Sequence, residues 1–401
     1  MVDLNKEFGA YSKNLNKASK DSNINNAMTR AVKSYRENVA TAMERYPHTP
    51  ELAKEVRKIK EYSIENNEML LAQAMDAIEK NKGKAFFATD RADALRILRD
   101  LIGTGKTVVK GKSMLGEELQ VRHNLEEAGN EVWETDLGEF ILQLKNDRPM
   151  HILSPAIHVP REQVAEIFSE FFQKEVPPVI SEEVGIVREF LREKYFNADV
   201  GISGANVVAA DTGQVVIIEN EGNVRLCTGA PPVHIVLVGI EKLVPTFLDA
   251  MKVSEVTWRY ANYTAPSYLN VISGPSKTGD IEKVTTYGAH GPKEFYVIFV
   301  DNGRSDMMKE ESFKQALYCL RCGGCMYECP VFQVTAGYYG RTYLSGIGSV
   351  WTTFVDGGVE KAAPMLYTCL RCGRCVERCP MHIDVPLMVG KLRSKVIEAT
   401  D

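Results

Sequence analysis

Cysteine is almost absent from the first three quarters of this chain. Of nine cysteines only Cys227 lies before residue 319. A disulfide scaffold is short, secreted and cysteine-dense throughout, so that class is excluded. Long apolar runs are missing too, and no stretch approaches the roughly eighteen residues of a membrane span. The opening MVDLNKEFGAYSKN carries no apolar signal core, so a cytoplasmic location is expected. There is no basic excess: 48 Lys and Arg face 53 Asp and Glu, a net charge of −5, which argues against a nucleic-acid partner. GTGKT at 103–107 resembles a phosphate loop, but Asp100 stands where its first glycine belongs. No GxGxxG follows an expected strand, and no flavin or nicotinamide signature is found. What remains is ordinary globular material: 401 residues, 44% apolar and 25% charged. That suits two or three domains with a core that needs no covalent staples.

What is present gathers near the end. Residues 319–330 read CLRCGGCMYECP and residues 369–380 read CLRCGRCVERCP. Both fit C-x2-C-x2-C-x3-C-P. Three thiols spaced by three wrap one iron–sulfur cube, and the fourth reaches the other cube of a two-cluster ferredoxin. The expected ligand sets are therefore Cys319, Cys322, Cys325 and Cys379 for one [4Fe–4S] cluster, and Cys369, Cys372, Cys375 and Cys329 for a second. Gly323, Gly324 and Gly373 let backbone amides approach sulfur. Pro330 and Pro380 turn the chain after the exported ligand. Zinc is the competing reading, but zinc ribbons pair two C-x2-C knuckles, and eight thiols in proline-terminated phrases fit that poorly. Cys227 reads as a small packed residue. The 39 residues from Pro330 to Thr368 suit a helical ferredoxin module docked on partners. Both MMKEESFKQALYC and VPLMVGKLRSKVIEA read as helical.

Upstream, residues 24–82 have helical periodicity and are expected to form a solvated wrapper, with a cover for the core or a subunit contact as the alternatives. From Lys84 short apolar runs alternate with helical segments. KAFFATD, TVVK, EVWETD and HILSP are expected strands; RADALRILRDLI, MLGEELQVRHNLEEAG, GEFILQLK and PREQVAEIFSEFFQK are expected helices. That alternation predicts a parallel α/β sheet. ANVVAADTGQVVIIENEG is expected to be a hairpin about Asp211-Thr212-Gly213, and VHIVLVGIE and KEFYVIFVDNGR further strands. The expected division is a helical region 1–82, an α/β domain 83–304 and a two-cluster domain 305–401. Ligands of such sheets gather where strand ends meet loops. The candidate loops are KGKSM (110–114), SGAN (203–206) and ENEGN (219–223). Lys110, Lys112, Ser113, Ser203, Gly204, Asn206 and Asn223 are candidates for holding an anion or substrate. Glu219 and Glu221 are candidate acids or bases. His158, His234 and His290 are expected to be structural.

SGANVVAADTGQVVIIENEGNVRLCTGAPPVHIVLVGIEKLVPT resembles the signature of the LUD domain of lactate-utilisation proteins. So do ETDLGEFILQLKNDRPMHILSPAIH and GPSKTGDIEKVTTYGAHGPKEFYVIFVDNGR. With the cysteine phrases behind it, the chain resembles the LutB/LldF-type iron–sulfur proteins over most of residues 50–385. All eight ferredoxin cysteines match. The resemblance implies a NagB/RpiA/CoA-transferase-like α/β fold with N-terminal helices, followed by an α-helical two-[4Fe–4S] domain. It implies an electron-relaying oxidoreductase subunit in lactate oxidation to pyruvate, rather than a stand-alone enzyme. Its partners would be a cysteine-rich heterodisulfide-reductase-type subunit, and a second LUD protein or flavin dehydrogenase subunit. Members often extend beyond the second phrase, whereas this sequence runs 22 residues past Cys379. Service in a heterodisulfide-reductase-like complex is therefore an alternative. Others are a LUD domain that itself binds or transforms a small carboxylic acid or acyl-CoA, and a scaffold whose clusters only hold the tail.

Overall fold

Four helices come first in the computed structural model, which describes residues 4–399. They span Leu4–Ser19, Ser22–Arg45, Thr49–Glu65 and Asn67–Lys80. The Asp21 side chain accepts the amides of Asn23 and Ile24 and so starts the second helix. Pro50 sits in the first turn of the third. Their apolar stripes are not left to solvent. Ile24, Met28, Val32, Tyr35 and Val39 recur at helical spacing and pack on Met326, Tyr327 and Phe332 of the C-terminal module. Tyr35 stacks on Tyr327 at 4.4 Å between ring centroids. Thus the second helix is not a solvated wrapper but a structural cover for the cysteine region, because its apolar stripe is buried there, while the fourth packs Leu70, Ala74 and Ile78 on the sheets.

Twelve strands follow: β1 Lys84–Ala88, β2 Thr107–Lys110, β3 Glu131–Glu134, β4 Val200–Ser203, β5 Val207–Ala209, β6 Val215–Glu219, β7 Val233–Gly239, β8 Leu243–Val244, β9 Tyr268–Ile272, β10 Lys277–Thr278, β11 Thr286–Tyr287 and β12 Glu294–Val300. Six make one sheet in the order β1-β12-β7-β4-β2-β3. Every pairing in it is parallel. Both faces are covered, one by helices and the other by the fourth helix and strands β5 and β6, so β7 (VHIVLVG) and β12 (EFYVIFV) are almost continuously apolar. A smaller sheet, β8-β5-β6-β9, packs beside it. Its β5–β6 hairpin turns at Gly213, at φ +65°, where an added Cβ would lie 2.7 Å from the Ile78 amide nitrogen. Strands β10 and β11 pair on their own.

Three local expectations are corrected. HILSP is not a strand but a bend, in which the His151 ring accepts the Leu153 amide at 3.1 Å and packs against Tyr327. The segment MLGEELQVRHNLEEAG breaks into Met114–Leu119 and Val121–Glu127, because Gln120 turns left-handed at φ 55°. The approach to the first cysteine is a helix, Arg304–Lys309, and then a 3-10 turn, Lys314–Tyr318. The other expected elements form near their predicted places. An 18-residue helix, Ile180–Asn197, joins them unforeseen. The C-terminal module is built of helices Gly324–Glu328, Pro330–Thr335, Ser345–Val355, Gly358–Thr368, Arg374–Arg378 and Val385–Glu398. Among the described residues no helix is long and apolar enough to cross a membrane.

Candidate iron–sulfur centre and adjoining cavity

The two cysteine phrases fold alike. Arg321 and Arg371 are left-handed at φ 63° and 54°, and Gly323 and Gly373 at φ 77° and 83°. Each glycine opens a five-residue helix that carries the third thiol. This tight double turn points successive thiols inward. A cavity of about 40 Å³ has Cys319, Cys322, Cys325 and Cys379 in its wall. A second, of about 30 Å³, has Cys329, Cys369, Cys372 and Cys375. Cys325 and Cys375 touch both, so the cavities are neighbours. Burial pushes Cys322 up to about 12, and the first thiol to add to it is Cys379. Burial likewise raises Cys329 to about 11, with Cys369 and Cys372 adding to it. Each exported cysteine therefore sits among the thiols of the other phrase.

The donor set fits iron–sulfur cubes. The amide of Gly324 is aimed at Cys322, those of Val331 and Phe332 at Cys329, and those of Met381 and Ile383 at Cys379. Arg371 donates its amide to Cys369 Sγ at 3.4 Å. Amides on sulfur tune such clusters. Close approach is needed here: a Cβ on Gly346 would come 3.4 Å from Cys369 Sγ, and one on Gly324 would strike the Tyr35 hydroxyl at 2.3 Å.

A larger cavity, about 270 Å³, lies at the C-terminal ends of β2, β4, β6 and β7. It brings together Lys112, Ser113, Gly204, Asn206, Glu219, Glu221 and Asn223 from the three candidate loops. Ser203 does not join them; it is buried and its hydroxyl meets His234 Nε2 at 2.8 Å. Lys110 is buried and held by Glu134 at 2.9 Å. Lys112 pairs with Asp136 at 2.8 Å. Ser113 caps the helix that starts at Met114 by accepting the Gly116 amide. Asn206 accepts the Ile218 amide at 2.9 Å. Asn223 donates to Thr135 Oγ1 at 3.4 Å. Glu219 spends both oxygens on the Val224 and Arg225 amides, at 2.8 and 3.0 Å, and on Asn270. It therefore acts as a capping anion for Asn223–Gly229. Glu221 stands at the cavity rim, and desolvation, with Asp136 second, raises its carboxyl above the ordinary value. His158 meets Asp147 at 3.2 Å, and His290 is exposed. Cys227 is fully buried against Thr135, and burial pushes its thiol up to about 12.

The opposite end of this cavity was not foreseen. Lys242, Trp258, Arg304, Arg321 and Tyr343 line it. Arg304 forms a buried fork with Glu118, at 2.9 Å through both Nη atoms, and meets Glu241 at 2.6 Å. The Tyr343 hydroxyl donates to the same Glu118. Lys60 Nζ donates to the Glu241 carbonyl. Burial opposes the Glu241 charge, but Arg304, Lys242, Arg321 and Lys60 prevail and hold it at about 2. Burial, with Lys242 second, lowers Lys60 to about 7. One signal did exist in the sequence: Arg321 is an interior residue of the first cysteine phrase.

Two family models match the chain: the LUD domain over residues 71–300 and a 4Fe–4S dicluster domain over residues 315–383. An "Uncharacterized electron transport protein YkgF" of Escherichia coli K12 is 35% identical over 77% of this chain and 64% of its own length. "Lactate utilization protein B" of Bacillus subtilis 168 is 34% identical, over 85% of this chain and 70% of its own length. The chain thus spans about two thirds of the length of these relatives. A crystal structure of a DUF162 family protein from Deinococcus radiodurans matches at TM-score 0.33 and 14% identity, over 58% of this chain and 98% of that one. On the two matched domains and these relatives, the chain belongs to the LUD-domain family that includes the lactate utilization B proteins, and carries a 4Fe–4S dicluster domain behind its LUD domain.

Proposed function

We propose that this chain is the iron–sulfur electron-transfer subunit of a multi-subunit oxidoreductase linked to the oxidation of lactate to pyruvate. It holds two [4Fe–4S] clusters on the swapped ligand sets given above. The observation that carries this reading is the pairing of the cavities: each has five of the eight thiols in its wall, and Cys325 and Cys375 line both. When bound, such clusters supply one-electron acceptance and release. The protein's part is to hold the cubes side by side, direct amides at their sulfurs and shield the one on Cys319, Cys322, Cys325 and Cys379 from water. The partners proposed are a cysteine-rich heterodisulfide-reductase-type subunit, and a second LUD protein or flavin dehydrogenase subunit that delivers the electrons. The names of the relatives support the lactate link. Anaerobic preparation should yield about eight irons and eight sulfides per chain. Cys322→Ser and Cys372→Ser should each remove about half of the iron, abolish electron transfer to an added acceptor and leave the far-ultraviolet spectrum unchanged. Zinc in place of iron, or full turnover by both variants, would overturn the reading.

A further inference from the structure

The large cavity is not confined to the LUD domain. Its wall shares Met114, Ile152, Arg321 and Tyr343 with the wall of the first thiol cavity. A single layer of side chains therefore separates the two spaces. Arg321 is central to that layer. It lies between Cys319 and Cys322, only 15% exposed, with its guanidinium stacked 3.9 Å from the Trp351 centroid and 4.4 Å from that of Tyr343. Stacking uses the faces of the group and leaves its edges to find acceptors.

Those acceptors are short. Arg321 Nη2 and Trp258 Nε1 are buried on this cavity's wall with no hydrogen-bond partner. The nearest carboxylate oxygen to Arg321 Nη2, Glu241 Oε1, is 4.0 Å away. Lys242, on the same wall, forms no salt bridge among the described residues. Around this end the cations are Lys60, Lys242, Arg304 and Arg321, and the carboxylates are Glu118 and Glu241, both already engaged by Arg304. The other acids of the cavity stand at its far end: Asp136 is taken by Lys112, Glu219 by backbone amides, and Glu221 is at the rim. Buried donors without partners cost free energy, and a native protein keeps them where something else supplies the acceptor. Cys319 supplies part of the counter-charge to Lys60 and Lys242, so the unpartnered donors of Arg321 and Trp258 are what call for a ligand.

We propose that this cavity is a binding site for a small carboxylate anion, held at one end by Arg321, Lys242 and Trp258. The ligand's remaining polar atoms face Asn206 and Asn223 at the other end. Arg321 then serves two spaces at once, since the guanidinium that meets the anion also lies within the first cysteine loop. Neutralising it withdraws positive potential from the cluster that Cys319 and Cys322 hold. Reduction of that cluster becomes less favourable when the site is filled. The binding claim stands independently of electron transfer; only the second readout rests on the cluster assignment.

The test uses the cluster-loaded full chain under anoxia. Calorimetric titration with L-lactate and with pyruvate should give one site per chain for at least one of them, and the neutral amide lactamide should bind at least tenfold more weakly. Lys242→Met, which lies outside the cysteine loop, and Arg321→Gln should each weaken the anion at least tenfold, with iron content verified in both. In a redox titration followed by electron paramagnetic resonance, saturating anion should move one of the two cluster midpoints to lower potential, and Arg321→Gln should abolish that shift. No binding by either acid, equal binding of lactamide, or unchanged affinity in Lys242→Met would overturn the proposal and leave the electron-transfer reading untouched.

Discussion

Leu320 and Leu370 hold the same place in two nearly identical phrases, yet Leu320 is 6% exposed and Leu370 is 65% exposed. The arginines that follow them differ in the same way. Arg321 is stacked between Trp351 and Tyr343 at the LUD cavity, whereas Arg371 is exposed and donates to the Pro386 carbonyl. Cys372 is an exposed thiol, and no member of the first phrase is. The ligand geometry is thus one solution used twice, set in two unlike surroundings. One loop is pressed against buried charge and a cavity; the other faces solvent beside the exposed Tyr367 and Leu387. Since burial and nearby charge tune cluster potentials, the two proposed cubes would become an inner and an outer station.

The strongest way to break this comparison is to cross it. Cys379 belongs by sequence to the outer phrase and by position to the inner cavity. Cys379→Ser should therefore give the paramagnetic spectrum of Cys322→Ser, with about half of the iron gone. A spectrum matching Cys372→Ser would dissolve the swap and with it the inner and outer assignment. Next in size is the charge fork beneath the inner loop. Glu118→Gln strips Arg304 of its bidentate partner and should cost about 3–5 kcal/mol in chemical unfolding, because it leaves a buried guanidinium underpaired. Glu241 sharpens the same point with pH. Its carboxyl is held at about 2 against an ordinary 4.5. A depressed acid stabilises the fold fully above its unfolded value, and loses that contribution as pH falls toward its folded one. The stability gap between the native chain and Glu241→Gln should hold at neutral pH and shrink steadily below pH 4.5; a gap independent of pH would mean that the charge is not what Arg304 needs.

The two phrases were readable because their ligands are local: three thiols within seven residues write the loop directly. The hairpin at Asp211-Thr212-Gly213 was readable for the same reason, as a turn is chosen by its own few residues. The helix at Ile180–Asn197 had its period in plain view, with Val187, Leu191 and Tyr195 four apart and buried, but charged neighbours hid it. HILSP has strand-like composition, and its fate was decided by Tyr327 and Phe332, which lie more than 170 positions away. The cationic end of the large cavity was illegible for that reason too. Lys242, Trp258, Arg304 and Arg321 converge only after the sheet and the cysteine module have packed together. The nearer candidates were found, but Glu219 and Ser203 were read for their chemistry when local hydrogen bonds had already claimed them.

The smallest expected effect tests the comparison most directly, because it changes the same atom set at twin positions. Leu320 packs among Val350, Trp351, Met381 and Val385 in one core cluster. Truncating it to alanine removes buried methyl groups and leaves a cavity, so Leu320→Ala should cost about 2–5 kcal/mol. Leu370 has little surface to lose, and Leu370→Ala should lie within about 0.5 kcal/mol of the native chain. Chemical unfolding of both variants, followed by far-ultraviolet circular dichroism under anoxia, measures the difference. Equal costs would mean that the outer loop is covered in solution, and the outer cube would then lose its claim to be the station that partners reach. Unequal costs in the expected direction leave Leu370 as a residue kept apolar at a surface that folding does not bury, which is where an electron partner has room to dock.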